Sequence, residues 1–424
     1  MRRIGLLVPT VVLLALCIGC GDQYRPVANP IIGSGGQPQN THYAFVVSYN
    51  PIGNSSTTRI DVSGDTNLEV QPVGAGAVAE SFLANNTGAL LTANSLADSV
   101  SEFPTSFTNS AVTTINVPAG SKPVLVTTNR TGFVYTINSS PNANCPQTGS
   151  ISVIDTTALT VVSTVCVGQN PIFGAQLPNG NQLYVINQGD NSISVYNPNT
   201  LNNCQNVPNC GISKTITTAN GLGLNPVYLS ITDDSEFVFV VTAGDGTNPG
   251  ALNIIATSDD TVRASIPLGI SPNFSYIDPI LNRLYVTNGG SNSVTAFDIS
   301  NVNLANNPPI PTLATTTVGS KPVGVTALQS STKFYTVNSN SNDVTVLSAT
   351  SFGVLKTVPV GQNPTWIASE PSSTKIYAAN TGSGTVSIIQ TENDTVVDTM
   401  NMPQQNPACT SSCALQQPRM ILTF

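Results

Sequence analysis

The sequence predicts an all-β chain folded as a single β-propeller of four-stranded antiparallel blades, eight in number, with seven as the alternative count. Three observations lead there. A self-similar unit recurs every 42 to 55 residues between Phe45 and Tyr377, and a period in the forties made of short strands is the mark of a propeller. Only 8% of the 424 residues are charged, against about 25% in ordinary soluble domains. The surface must therefore be built from neutral Ser, Thr, Asn and Gln, which favour strands and turns over helices. Finally, the chain enters the repeat on the second strand of a unit, HYAFVVS (42–48), and leaves it on an inner-strand copy, QQPRMILTF (416–424). The two ends are thus expected to complete one blade between them, which removes the open edge of a sheet.

From the N-terminus, Arg2 and Arg3 precede an apolar run, Ile4 to Ile18, that closes on Cys17-Ile18-Gly19-Cys20. The run is shorter than the roughly 20 residues of a spanning helix, and a basic start with a short apolar stretch reads as an export signal. Gly19 before Cys20 resembles the lipobox of bacterial lipoproteins. That resemblance implies a signal peptide over 1–19, lipidation of Cys20 and a lipid-anchored place in the bacterial cell envelope. Loss of Arg2 and Arg3 would deepen an acidic excess of 22 against 14, so membrane attachment would rest on acyl chains and not on charge. Residues 20–40, with GDQYRPVANPIIGSGGQPQN from Gly21, show no period and read as a flexible tether. The propeller is expected over 41–424.

The repeat is clearest in QLYVINQGDNSISVYN (182–197), RLYVTNGGSNSVTAFD (283–298), KFYTVNSNSNDVTVLS (333–348) and KIYAANTGSGTVSIIQ (375–390). Weaker copies start at Phe45, Leu91, Tyr135 and Phe239. Each unit alternates toward a buried face, turns through Gly and Asn, and alternates again. A further strand, as in Val354 to Val360, leads through a Gly-x-x-Pro connector into an inner strand. Connectors stand at Gly120 to Pro123, Gly168 to Pro171, Gly319 to Pro322 and Gly361 to Pro364. Proline fixes φ and cannot donate to a ladder, so it belongs at the start of a strand. The repeated Tyr is expected to pack between sheets. The Asn after it is expected to occupy the following turn at positive φ and to bond local backbone.

These residues resemble the YVTN family of β-propeller repeats, found in bacterial and archaeal surface proteins and close in fold to lactonase-type propellers. The resemblance covers about residues 41 to 424, with YVTN itself unaltered at Tyr285 to Asn288. It is specific for fold and weak for function.

Six cysteines follow the lipobox: Cys145, Cys166, Cys204, Cys210, Cys409 and Cys413. An even number in an exported chain argues for disulfides. Cys204 and Cys210 share one inserted loop and Cys409 and Cys413 another, while Cys145 and Cys166 fall at the same end of one blade. A metal site is disfavoured, because these cysteines are scattered and lack His partners.

Candidate ligand-facing residues come from the connectors into the inner strands, which form the mouth of a propeller's channel. They are Lys122, Gln169, Asn170, Asn225, Lys321, Gln362, Asn363 and Arg419. Amides with a few cations suit a glycan, a peptide carboxylate or another small polar ligand. Aromatics recur two residues past the connector Pro, at Phe173, Tyr228, Phe274 and Trp366, and form either the channel wall or the core between blades. Asp190, Asp245, Asp343 and Asp394 offer oxygen ligands for Ca²⁺ but lack the clustering it needs, so they read as turn residues.

Nucleic acid is a poor partner without clustered Lys and Arg. The one His, His42, lies on the entering strand, and no GxSxG, HExxH or CxxCH occurs. The resulting expectation is a binding or scaffold module, monomeric and without cofactor or metal, for an envelope protein, a glycan or a small polar ligand. A lactonase-like or lyase-like enzyme with a channel active site is the alternative; its acid–base chemistry would fall to Asp, Glu or Tyr.

Overall fold

In a computed structural model the predicted strands assemble into eight four-stranded antiparallel sheets. The structure describes residues 43–62, 64–83, 88–107, 111–128, 132–203, 210–306, 308–403 and 416–423, without the side chains of Leu68 and of 201–203. The expected signal segment, the expected tether with Cys20, and His42 lie outside the described residues.

Blade 1 combines Tyr43–Tyr49, Asn54–Asp61 and Thr66–Ala75 with the C-terminal Gln417–Thr423, which pairs antiparallel with Tyr43–Tyr49 as the innermost strand. The expected closure is therefore present. Blades 2 to 8 each run from the innermost strand outward, starting at Ala77–Phe82, Pro123–Thr128, Pro171–Gln176, Pro226–Ile231, Pro272–Asp278, Pro322–Ala327 and Pro364–Ser369. Burial falls from inside to outside. The second strand of blade 4, Leu183–Asn187, is buried at every position, because neighbouring sheets cover both of its faces. The outermost strand of blade 7, Val354–Pro359, is almost wholly exposed.

The expectation for the repeated Asn needs correction. It is the last residue of the second strand, fully buried, and it is not among the residues at positive φ. Its amide donates to two side-chain oxygens on the third strand: Asn288 Nδ2 reaches Ser293 Oγ at 3.1 Å and Thr295 Oγ1 at 3.0 Å. Asn94, Asn138, Asn187 and Asn380 do the same. In blades 4, 6, 7 and 8 the connector glycine packs directly on this Asn, whereas Gly120 of blade 3 is a glycine for its positive φ of 82°. A Cβ at Gly168 would lie 2.5 Å from Asn187 Cγ, and one at Gly269 2.8 Å from Asn288 Cβ. In these four blades Gly-x-x-Pro and the Tyr-x-x-Asn run are thus two halves of one packing unit, in which only glycine leaves room for the buried amide. Blade 5 inverts the pair: Thr242 takes the strand-end position, and Asn253 donates back to its hydroxyl at 3.0 Å.

The anchors Tyr135, Tyr184, Tyr285, Tyr335 and Tyr377 are fully buried, as a packing role requires. Two of them also latch blades together. Tyr184 donates to Asp260 of blade 5, and Tyr335 to Asp394 of blade 8 at 2.7 Å. Asp394 also receives Lys333 at 2.7 Å. It sits in a turn, as expected, and that turn joins two blades.

Candidate ligand site at the channel mouth

The connectors into the innermost strands and the hairpins between second and third strands lie on one face of the disc, here the upper face. Just past the first residue of each innermost strand the pairing slips by one residue, for example between Pro171 and Phe173 and between Pro364 and Trp366. Such a bulge re-aims side chains at a barrel or propeller rim. The residues at the slip are Val78, Val124, Ile172, Val227, Asn273, Val323, Thr365 and Arg419, all half-buried. Arg419 is the single charged member of this ring.

One step further along, the aromatic row meets around the axis. Phe173 stacks on Tyr228 at 4.3 Å between centroids, Tyr228 lies 4.4 Å from Phe274, and Phe274 meets Trp366 edge-on at 6.0 Å, passing over Gly324 of blade 7. The row is both channel wall and core: Phe173 and Tyr228 belong to the main apolar cluster, and Phe274 and Trp366 pack against it. The Trp366 indole N–H is held by the Ile421 carbonyl at 3.1 Å. The aromatics give one side of the mouth an apolar floor.

Arg419 stands on the innermost strand of blade 1. Its Nη2 donates to Gln417 Oε1 at 2.8 Å, and its guanidinium carbon lies 5.2 Å from the Tyr49 ring centre. Its Nε is buried and has no hydrogen-bond partner. Burial pushes its pKa below the ordinary arginine value, and the nearby Tyr49 opposes that. A half-buried guanidinium, always charged and forked, is suited to an anion.

The other expected mouth residues are held mainly through their backbones. Lys122, Asn170, Asn225, Lys321 and Asn363 all adopt positive φ, between 45° and 57°. Four of their amides are capped by a side chain of the preceding blade's hairpin: Lys122 by Asp98 at 2.8 Å, Asn225 by Asn191 at 2.6 Å, Lys321 by Asn292 at 2.9 Å and Asn363 by Asn342 at 2.7 Å. These caps link adjacent blades. Gln169 and Gln362 are exposed, with amides held by Asp190 and Ser383. The side chains of Lys122, Lys321, Gln169, Gln362 and Asn363 therefore reach solvent from fixed backbone positions.

The upper-face carboxylates are engaged in turns. Asp98 accepts the amides of Gly120 and Lys122, Asp190 accepts Gln169 N–H and the Ser192 hydroxyl, Asp245 caps Thr247 and Asn248, and Asp343 accepts from Asn338. These turn hydrogen bonds hold the Asp245 carboxyl below its usual pKa. Among the described residues no three His, Cys, Asp or Glu gather as metal ligands.

Glu80, on the innermost strand of blade 2, has no counterpart among the expected site residues. It is fully buried, and Oε1 accepts from Thr57 at 2.8 Å and Thr92 at 2.9 Å, while Oε2 has no partner. Burial raises its pKa to about 7, and the two threonine hydrogen bonds only partly offset this. A strand-interior Glu within AVAESF gives no sequence signal of such burial.

Cys145 and Cys166 form the expected disulfide, with an S–S distance of 2.06 Å. Cys210 is also disulfide-bonded. Cys204, Cys409 and Cys413 lie outside the described residues.

No protein-family profile matches the chain, and no curated protein does. Solved structures do match. Apo AztD from Citrobacter koseri aligns at TM-score 0.60 and 11% identity, over 91% of this chain and 98% of that one. The dihydro-heme d1 dehydrogenase NirN, in complex with DHE, aligns at TM-score 0.66 and 10% identity, over 95% of this chain and 79% of that one. The periplasmic gluconolactonase PpgL of Pseudomonas aeruginosa aligns at TM-score 0.56 and 12% identity, over 91% and 99%. At these identities the likeness is one of fold, which agrees with the eight-bladed propeller seen here.

Proposed function

We propose that the protein is an exported binding propeller, anchored through lipidated Cys20, whose upper face receives a carboxylate-bearing sugar, either free or as a unit of an envelope glycan. The observation that carries this reading is Arg419: the one charged side chain in the innermost ring, half-buried, with its Nη2 on Gln417. The aromatic floor with Trp366 offers the apolar face that a sugar ring stacks on, and Gln362, Asn363 and Gln169 offer amides for its hydroxyls. The Cys145–Cys166 disulfide supports export into an oxidising compartment.

A lactonase-like activity has less support. The upper-face carboxylates already serve as turn acceptors, and general acid–base work needs a group within reach of the substrate proton. Glu80, whose pKa of about 7 would suit a base, is enclosed between blades 1 and 2. Titration calorimetry with galacturonate and galactose tests the reading. Galacturonate is expected to bind at least about ten-fold more tightly, one charged contact's worth, and Arg419→Gln is expected to abolish the difference. Equal binding of the two sugars would refute it.

A further inference from the structure

A cavity lies away from the axis, in the upper cleft between blades 3 and 4, with a volume of about 320 Å³. Its lining is of three kinds. Thr148, Ser192, Ser194 and Thr215 supply hydroxyls, Ile212 and the Cys166 disulfide supply an apolar wall, and Asp190 is the one charged residue.

The wall on the blade 3 side is built to be rigid. Blades 4, 6, 7 and 8 join their second and third strands through four residues, whereas blade 3 uses residues 139–149. That loop is pinned at Cys145 by the disulfide to Cys166. It is pinned again at Asn142, whose Nδ2 donates to Ser121 and Ser150, both at 3.0 Å, and whose Oδ1 accepts the amides of Asn144 and Cys145. A preordered wall lowers the entropy a ligand must overcome on binding.

The opposite wall is equally fixed. Asn187 donates to Ser192 Oγ and Ser194 Oγ, both at 3.0 Å. The Ser192 hydroxyl donates to Asp190 Oδ1 at 2.7 Å, and Gln169 N–H donates to Oδ2 at 3.0 Å. Asp190 is thereby held in place by neutral donors alone. An ionised carboxylate offers about four lone-pair sites, so two bonds leave acceptor capacity on both oxygens. Ser194 Oγ accepts from Asn187, and its own O–H remains to donate. Lys214, the nearest cation along the outer strand, is turned away, with Nζ on the Asp259 carbonyl at 2.7 Å.

We propose that this groove is a binding site for an amino sugar with a free ammonium group, Asp190 pairing with the ammonium and Ser194, Thr148 and Thr215 meeting the ring hydroxyls. A charge-assisted bond to an already oriented carboxylate is the strong element, and the hydroxyl wall gives the preference for a sugar over a bare amine. The site meets the Arg419 mouth only at Gln169, whose N–H holds Asp190 while its side chain serves the mouth, and it takes the opposite charge, so either can fail without the other.

Ligand-observed NMR titration of the oxidised protein with glucosamine, glucose and N-acetylglucosamine tests the proposal. Glucosamine is expected to bind saturably and the two neutral sugars roughly ten-fold more weakly or worse. Asp190→Asn should erase that preference. Thr215→Trp, at an exposed outer-strand position, should block the groove without touching its hydrogen bonds, and so keeps the test open should Asp190→Asn misfold. Reduction of the Cys145–Cys166 disulfide should weaken glucosamine binding and leave galacturonate binding intact. Equal binding of glucosamine and glucose, or glucosamine binding unaffected by Thr215→Trp, would overturn the proposal.

Discussion

The seam between blades 1 and 2 and the seam between blades 4 and 5 follow the same backbone plan and bury opposite chemistry. At matching register Leu229 of blade 5 opposes Val240, whereas Glu80 of blade 2 opposes Thr92. Leu229 and Val240 join one continuous apolar cluster with Val195 and Ile216. Polar contacts between blades 4 and 5 lie toward the faces: Asn191 on the Asn225 amide above, Tyr184 on Asp260 below. Between blades 1 and 2 a carboxyl sits at mid-height, answered by Thr57 and Thr92. Other innermost strands place Val126, Gly174, Ser275, Val325, Ile367 and Ile421 at this position. The difference teaches that the repeat fixes the backbone through its connector and strand-end Asn, while the seam interior accepts an acid only where hydroxyls have been supplied to meet it.

The largest test removes the closure that adjoins the polar seam. A chain ending before residue 416 loses Gln417–Thr423 and uncovers Val46 and Val47, both fully buried. Calorimetry should then show no cooperative unfolding transition. Transplanting the acid comes next. Leu229→Glu places a carboxyl opposite Val240 without hydroxyl partners, and denaturant unfolding should register a loss of about 4 kcal/mol or more. A tolerated Leu229→Glu would show that the threonines around Glu80 matter little.

Glu80 itself should make the protein sensitive to pH. Its folded pKa, about 7, lies above the ordinary 4.5, so the folded state binds this proton more tightly than the unfolded state. The contribution is fully present below about pH 4.5 and is lost progressively as pH rises through about 7. By linkage the loss amounts to roughly 3 kcal/mol. Glu80→Gln should flatten this part of the stability profile and be the more stable protein at pH 8; an unchanged profile would remove the carboxyl from the account. The smallest effect concerns the other seam. Tyr184→Phe deletes one hydrogen bond to Asp260 and leaves that of Gln182, so a loss of about 1 kcal/mol is expected in urea melts.

Blade number, closure and strand order were legible in the sequence, because Gly-x-x-Pro and Tyr-x-x-Asn mark the start and the end of the innermost hairpin in blades 3, 4, 6, 7 and 8, and the weaker copies at Phe45, Leu91 and Phe239 keep the period. Four connectors stand out through repeated Ser-Lys or Gln-Asn middles. Gly223-Leu-Asn-Pro226 and Gly269-Ile-Ser-Pro272 keep the spacing with other residues and emerge from the structure. The role of the strand-end Asn was not legible. Its partners lie five and seven residues downstream, as Ser293 and Thr295 do from Asn288, a spacing that composition conceals among so many hydroxyls. Positive φ at Lys122 and Lys321 was equally hidden, since neither is a Gly or Asn and the conformation depends on caps from another blade. The candidate mouth was legible as a set of connectors, and the aromatic row as a spacing. That the rings meet at the axis, and that Arg419 alone is charged in the ring above them, depends on a bulge that no local sequence announces.

The most direct test of the account is the intrinsic fluorescence of Trp366, the only tryptophan in the chain, titrated with galacturonate while gluconolactone hydrolysis is followed in the same preparation. The account predicts a saturable fluorescence change that Arg419→Gln abolishes, with no lactone turnover. A lactone turnover that disappears when Asp98 or Asp190 is changed to Asn, with fluorescence unmoved by galacturonate, would contradict it and make the protein an enzyme.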